Sequence, residues 1–212
     1  MREEITVNTQ SSIKIVGSKV LYFDPWQIEG EPHDANIIFI THEHYDHFSP
    51  EDIAKVSNDK TMVVFPQSME REAANKTGIP SDNLVFMQPK EQREVSRLMI
   101  EAIPAYNNKK PFHMKRSQWL GYVVTMDAEK YYVAGDTDVT PESWDVRCDV
   151  ALLPIGGTYT MDAKAAAELA GHLSPRLVIP THYGSIVGSP ADGELFQTLI
   201  QRGIQVELKL PL

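Results

Sequence analysis

The run Thr41-His42-Glu43-His44-Tyr45-Asp46-His47-Phe48-Ser49-Pro50 constrains this chain more than any other stretch. Between His42 and His47 it sets three imidazoles and the carboxylate of Asp46. The apolar run before it, Ile37-Ile38-Phe39-Ile40, predicts a buried β-strand. Ser49-Pro50-Glu51-Asp52 after it predicts a helix start, with Ser as N-cap, Pro in the first helical position and acids in the first turn. The cluster therefore falls where a strand gives way to a helix. Residues two apart on an extended segment point the same way, so His42 and His44 can aim at one point. The chain then bends, and Asp46 and His47 can aim at a second point nearby. Imidazole and carboxylate are ligands for zinc, iron or manganese. A histidine-rich surface turn is the plainer alternative, and four ligand-type side chains at this spacing on such a junction weigh against it.

The rest of the chain predicts strands at 4–7, 12–16 and 19–23, with Gly17-Ser18 as a tight turn. Asp24, at the end of the third, either caps a turn or orients a metal-bound histidine. His33 lies in a polar loop and reads as solvated. Beyond the cluster, helices are expected over 50–56 and 68–77, the second closed by Gly78, and strands over 61–65, 84–87 and 94–103. The segment 108–117 is a basic loop carrying Lys109, Lys110, His113, Lys115 and Arg116. A hairpin over 119–126 and 130–134 delivers Gly135-Asp136-Thr137. A strand over 150–153, a helix over 163–173 capped by Asp162, and a strand over 177–179 lead to Pro180-Thr181-His182-Tyr183-Gly184. Ser189-Pro190 opens a last helix with Leu195, Phe196, Leu199 and Ile200 as its apolar stripe, followed by a strand over 204–210. His172 falls off the stripe of its helix and reads as exposed. This order suggests two sheets packed face to face with helices outside. His42, His44, Asp46, His47, Asp136 and His182 all lie at strand ends, where residues distant in sequence can converge.

A length of 212 residues suits one domain spanning 1–212 with a sizeable core. The net charge of −9 weighs against binding of nucleic acid or an anionic membrane by the outer surface. It leaves an anionic substrate open, because bound cations invert the local field. With Cys148 as the one cysteine, no intrachain disulfide can form. Met1-Arg2-Glu3-Glu4-Ile5 shows no apolar leader and no apolar run reaches spanning length, so a cytoplasmic protein is expected.

These residues carry a resemblance. His42-Glu43-His44-Tyr45-Asp46-His47 resembles the H-x-H-x-D-H motif of the metallo-β-lactamase superfamily. Gly135-Asp136-Thr137 is similar to its later Asp motif, His182 to its last histidine, and Asp24-Pro25 to its early Asp motif. The segment 153–161, Leu-Pro-Ile-Gly-Gly-Thr-Tyr-Thr-Met, resembles small single-domain members like the ascorbate-phosphate lactonases. The resemblance implies an α/β fold, an αββα four-layer sandwich with two divalent metal ions at one edge of its sheets. It implies His42 and His44 on the first ion, Asp46, His47 and His182 on the second, and Asp136 between them. Zinc is the expected metal, with manganese or iron as alternatives. A metal-bound hydroxide would be the nucleophile, oriented by Asp46, which would also shuttle a proton.

One departure stands out. The family usually sets a third histidine for the first ion after a Pro-Ala-x run, and here that position is Asn107. An amide oxygen is a poor zinc ligand beside imidazole. His113 can replace it, Asn107 can bind a harder metal weakly, or the first position stays empty. His113 is the preferred ligand here, and Asn107 then joins Lys115 and Tyr183 as expected substrate contacts. Lys115 would meet an anionic group and Tyr183 an oxyanion. The leading expectation is a hydrolase of a small ester, lactone or phosphodiester, with a small-molecule and possibly charged substrate and with a homo-oligomer left open. The alternative is a non-catalytic or weakly active metal-binding regulatory protein, motivated by Asn107. Other branches fit less well. The true β-lactamases commonly carry cysteine where Asp136 stands, the diiron redox branch replaces the histidine at His44, and the RNA-processing and thioester-hydrolase branches are expected to need added domains.

Overall fold

The computed structural model describes residues 4–211, so Met1 to Glu3, where no apolar leader was expected, lie outside the described residues. The first sheet is built from β1 (Glu4–Thr9), β2 (Ser12–Val16), β3 (Val20–Phe23), β4 (Ile37–Phe39), β5 (Met62–Pro66) and β6 (Leu84–Met87), in that spatial order. Helix α1 (Pro50–Val56) follows β4, and α2 (Glu70–Lys76) follows β5. The second sheet holds β7 (Gln92–Val95), β8 (Leu98–Pro104), β9 (Leu120–Met126), β10 (Glu129–Val133), β11 (Val150–Pro154), β12 (Leu177–Thr181) and β13 (Gln205–Val206), ordered from β13 to β7. Helices α3 (Pro141–Trp144), α4 (Ala163–Leu173) and α5 (Pro190–Leu199) belong to this half.

Alternation along the strands divides the apolar residues into layers. Ile37 and Phe39 face inward and pack with Tyr122, Val124, Leu152 and Ile179 of the second sheet. Ile38 and Ile40 face outward and pack on Ile53 and Val56 of α1 and Ala73 of α2. The second sheet repeats the arrangement, with Tyr132, Ala151, Leu153 and Val178 covered by Ala166, Leu169 and Ala170 of α4 and Phe196 of α5. Both faces of β4, β11 and β12 are thus covered, which is why these strands read as unbroken apolar runs. The result is the expected αββα layering.

Three expectations are corrected. The strand expected over 94–103 is a hairpin, β7 and β8, turning at Ser96 and Arg97, both left-handed with φ of 51° and 68°. A two-residue hairpin needs that backbone and usually advertises it with Asn or Gly, which are missing here. On α5, Leu195 and Leu199 are exposed, and the buried face runs through Gly193 and Phe196. A Cβ on Gly193 would lie 2.6 Å from the Tyr183 hydroxyl, so the glycine makes this the face that approaches the sheet. The last strand is only Gln205–Val206, paired with Leu177 and Val178. Helix α3 was not anticipated; Thr140 caps it reciprocally with Ser143.

Topology positions the strand ends. β9 is antiparallel to both β8 and β10, so β8 runs with β10, and β11 and β12 are parallel to β10. The carboxyl ends of β8, β10 and β12 therefore open on one edge, where ligands of open α/β sheets commonly bind. The two sheets meet there, where Leu120 N–H donates to the Thr41 carbonyl at 3.1 Å and the Tyr122 hydroxyl donates to the Ile40 carbonyl at 2.8 Å.

Candidate metal centre

The turn after β4 supplies His42, His44, Asp46 and His47, and α1 holds it in place. Ser49 caps α1 through the Asp52 N–H. The Asp52 carboxylate in turn accepts from the backbone N–H groups of Gln27 and Ile28, both at 3.0 Å, which anchors the turn after β3. That turn carries Asp24, itself left-handed with φ 45° and fully buried.

Asp24 does orient a histidine. Its carboxylate accepts from His47 Nδ1 at 2.7 Å, Thr41 N at 2.8 Å and Thr41 Oγ1 at 2.6 Å. The single Thr41 hydroxyl proton is committed to Asp24, so His42 Nδ1, 2.9 Å from Thr41 Oγ1, must be the donor in that contact. Both imidazoles are thereby fixed with Nε2 facing the site. His47 Nε2 lies 3.5 Å from Asp46 Oδ2 and 3.4 Å from Asp136 Oδ1. His42 Nε2 lies 3.1 Å from His44 Nδ1 and 3.9 Å from Asp136 Oδ2.

The loop after β8 brings in His113, whose Nε2 is 3.3 Å from Asp136 Oδ2. The loop after β12 brings His182, whose Nε2 is 3.1 Å from Asp136 Oδ2 and 3.5 Å from Asp46 Oδ2. His182 is left-handed, with φ 55°, and its N–H donates to the Gln10 carbonyl at 2.9 Å. A Cβ on Gly156 would fall 2.4 Å from the His182 carbonyl oxygen, so only glycine lets the two loops pass. All seven expected ligand residues meet at this edge. They form three overlapping groups: His42, His44 and His113; His42, His47 and Asp136; Asp46, His47 and His182.

The titrating groups of the site shift one another strongly. Burial, reinforced by His47, holds the His42 imidazole well below its ordinary pKa and so neutral. Burial opposes charge on His182, yet the Asp136 carboxylate outweighs it and pushes the imidazole up to about 9. Burial alone would raise the Asp136 carboxyl, but the His182 and His47 charges hold it well below the usual carboxylate range. His47 Nε2, His113 Nε2, His182 Nε2 and Asp136 Oδ1 are buried with no hydrogen-bond partner among the described residues. Buried polar atoms are rarely left so. Converging imidazole nitrogens, which give up their protons to a divalent ion, and carboxylate oxygens are what such an ion takes, so the residues present fit metal.

The three expected substrate contacts are placed elsewhere. The Asn107 amide donates to the carbonyls of Phe112 at 3.0 Å and Tyr159 at 2.7 Å, which pins the loop bearing His113, and Asn107 does not line the cleft. Lys115 Nζ sits 3.1 Å from both the Tyr106 hydroxyl and Glu142 Oε1, outside the cleft, because this carboxylate captures it. Tyr183 is buried beneath His182 with its hydroxyl against Gly193, facing α5.

Four other side chains join the histidines and carboxylates in lining the cleft, which has a volume of about 290 Å³: Tyr45, Phe112, Tyr159 and Ile186. The sequence reading missed them. Tyr45 and Phe112 adjoin ligand residues and the half-buried Tyr159 lies in the Gly-Gly-Thr-Tyr run, but no periodicity marks a cleft-lining aromatic in a loop.

Comparison with known proteins agrees with this architecture. The Beta-lactamase superfamily domain matches residues 5–183. A UPF0173 metal-dependent hydrolase of Thermococcus onnurineus is 31% identical, over 95% of this chain and 93% of its own length. One from Pyrococcus abyssi is also 31% identical, over 88% and 87%. A Parabacteroides distasonis protein assigned only provisionally as a metal-dependent hydrolase superposes with a TM-score of 0.81 at 29% identity, covering 98% of this chain and 92% of that one. Igni18, a metallo hydrolase of Ignicoccus hospitalis, superposes with a TM-score of 0.80 at 22% identity, over 99% and 95%, a likeness of fold. Among the described residues no helix is long and apolar enough to cross a membrane. The chain belongs to the beta-lactamase superfamily and, within it, to the UPF0173 metal-dependent hydrolases.

Proposed function

We propose that this enzyme hydrolyses a small ester, lactone or phosphodiester with two divalent ions, zinc in preference to manganese or iron. His42, His44 and His113 would hold one ion, Asp46, His47 and His182 the other, and Asp136 would reach both. Nitrogen-rich donor sets favour zinc over harder cations. Bound there, the ions would polarise the scissile carbonyl or phosphoryl group and make water nucleophilic at neutral pH.

The chain's own residues supply orientation and proton handling. Asp24 and Thr41 hold His47 and His42 in the tautomers that leave Nε2 free. Burial would raise the Asp46 carboxyl, but the His182 imidazole 3.5 Å away and the His47 charge lower it. Asp46 therefore stays ionised at the cleft wall, able to accept the proton of the attacking water and return it to the leaving oxygen. The cleft seats the substrate, and the buried strand ends beneath it exclude bulk water.

The observation that carries this reading is the convergence of unpartnered buried imidazole nitrogens on Asp136. Metal analysis of purified protein tests it, together with turnover of p-nitrophenyl acetate, homoserine lactone and bis-p-nitrophenyl phosphate. Two ions per chain are expected, with hydrolysis lost on chelation and restored by zinc. Full activity after complete metal removal would overturn it. So would metal-loaded protein inert on the whole panel and unchanged by His47→Ala, which points to binding without catalysis.

A further inference from the structure

The apolar wall of the cleft bears on which molecules enter it. Tyr45, Phe112 and Ile186 are 66%, 45% and 41% exposed, and all three stand around one opening. Scattered exposed apolar residues need no explanation, but a ring of them over converging polar groups marks a ligand site. The ring is braced. Phe112 meets Tyr159 edge-to-face, with centroids 4.9 Å apart and planes at 89°. Trp26 packs against Tyr45 in the same way at 6.0 Å. Rigid aromatic edges of this kind hold an apolar group with little ordering cost.

Charge sharpens the point. The basic loop expected to meet an anion does not present its cations to the cleft. Lys110 is held by Asp138 and the Thr160 carbonyl. Lys115 is held by Glu142 and Tyr106. Neither Lys109 nor Arg116 lines the opening. Apart from the imidazoles, the charged groups among the described residues lining the opening are Asp46 and Asp136, both ligand candidates beside the histidines. An anionic group placed away from the scissile bond would meet aromatic edges and no lysine or arginine, and would lose hydration without compensation.

We infer that the part of the substrate flanking the scissile bond is uncharged and apolar, an aryl or branched-alkyl group seated among Tyr45, Phe112, Tyr159 and Ile186. These four side chains set specificity. The inference rests on the metal-centred reading above, because the reacting group must lie on the histidine side for the flanking group to reach this wall. A volume of about 290 Å³ accommodates one ring beside the reacting group and little more.

Three hydroxamates with a common metal-binding head test it by calorimetric titration of zinc-loaded protein: acetohydroxamate, phenylacetohydroxamate and 4-carboxyphenylacetohydroxamate. Burying the phenyl ring is expected to tighten Kd by about tenfold or more relative to acetohydroxamate. The added carboxylate is expected to remove most of that gain. Phe112→Ala, Tyr159→Ala and Ile186→Ala should each erode the phenyl gain while leaving zinc content and the acetohydroxamate Kd unchanged. A carboxylated probe that binds as tightly as the phenyl one overturns the inference and leaves the metal reading standing. Variants that weaken all three probes equally do the same. Failure of acetohydroxamate to bind zinc-loaded protein overturns the metal reading, and the inference with it.

Discussion

The two halves of the centre are built differently. On one side His47 is fully buried and its Nδ1 donates to a fully buried carboxylate, Asp24, held by two further hydrogen bonds from Thr41. On the other side His44 is only half-buried, and His113 sits on the loop after β8 at a left-handed φ of 52°. That loop is fastened by neutral bonds from the Asn107 amide to two carbonyls and by Asn107 N–H donating to the His113 carbonyl at 2.7 Å. A charge-assisted bond in a dry site is the stronger fastening. The Asp24 side therefore holds its ligand ready before any ion arrives, and the His113 side depends on a loop staying down. Under the proposed two-ion occupancy, the affinities should be unequal, with the ion beside His44 and His113 leaving first.

Asp136 is common to both halves, so its loss should erase the difference between them. Asp136→Asn is expected to lower kcat/KM by more than about 100-fold, beyond the 10–100-fold typical of an outer hydrogen-bond partner, and to reduce both metal occupancies. Steady-state kinetics with metal analysis checks this; one retained stoichiometric ion would restrict Asp136 to one half. His113→Ala sharpens the comparison from the loop side. It should leave about one ion per chain, the one that resists a weak chelator. A preparation that still holds two would take His113 out of the ligand set. Asp24→Asn probes the opposite half. It should weaken the tight ion by about 10–100-fold and leave the loop-side ion closer to wild type, measured by competition with a chromogenic chelator. Equal weakening of both ions would mean the halves are coupled through Thr41, which touches His42 as well as Asp24. Gly156→Ala should act on stability more than on metal choice. The added methyl meets the His182 carbonyl, and overpacking of this kind costs about 1–3 kcal/mol in a denaturant titration.

What the sequence made legible follows the same division. Asp46 and His47, on the Asp24 side, lie within the H-x-H-x-D-H run, where an apolar strand, a capped helix and ligand-type residues are contiguous. His42, Asp46 and His47 could be read there because local spacing carries the information. Asp136 and His182 follow apolar strands, which allowed them to converge with the others, and the resemblance singled them out. The loop side was legible only in part. His113 could be named as one alternative to Asn107, but whether the intervening residues fold back depends on the carbonyls of Phe112 and Tyr159, and Tyr159 is 52 residues away from Asn107. Lys115 looked like an anion site because its partner, Glu142, lies 27 residues on in a helix that no pattern announced. Tyr183 looked like an oxyanion donor because the close approach of Gly193 has no signal in either stretch. The fold's missed turn has the same origin, since Ser96 and Arg97 adopt a glycine-like backbone that their side chains do not advertise.

The smallest expected effect concerns how the loop half is tied to the rest of the protein. Glu142 accepts from the Tyr106 hydroxyl at 2.8 Å and from Lys115 at 3.1 Å, and these two residues flank the Asn107–His113 segment. Burial would raise the Glu142 carboxyl, but the hydrogen bonds from Tyr106 and Lys115 outweigh it and push it down from 4.5 to about 2. A carboxyl whose pKa falls on folding adds stability that is present above its unfolded value and is lost as pH drops through its folded value. The tether should therefore contribute at neutral pH and fade between about pH 5 and pH 2. Lys115 is 64% exposed, so solvent screens the pair and the size is modest. Glu142→Gln should lower the Tm slightly at pH 7, and the gap from wild type should close across that acid window. It should also speed release of the loop-side ion by a small factor and leave the Asp24-side ion alone. A Tm gap that stays constant through the window would show that the carboxylate charge does not hold the loop, and faster loss of both ions would show that the two halves are not held separately.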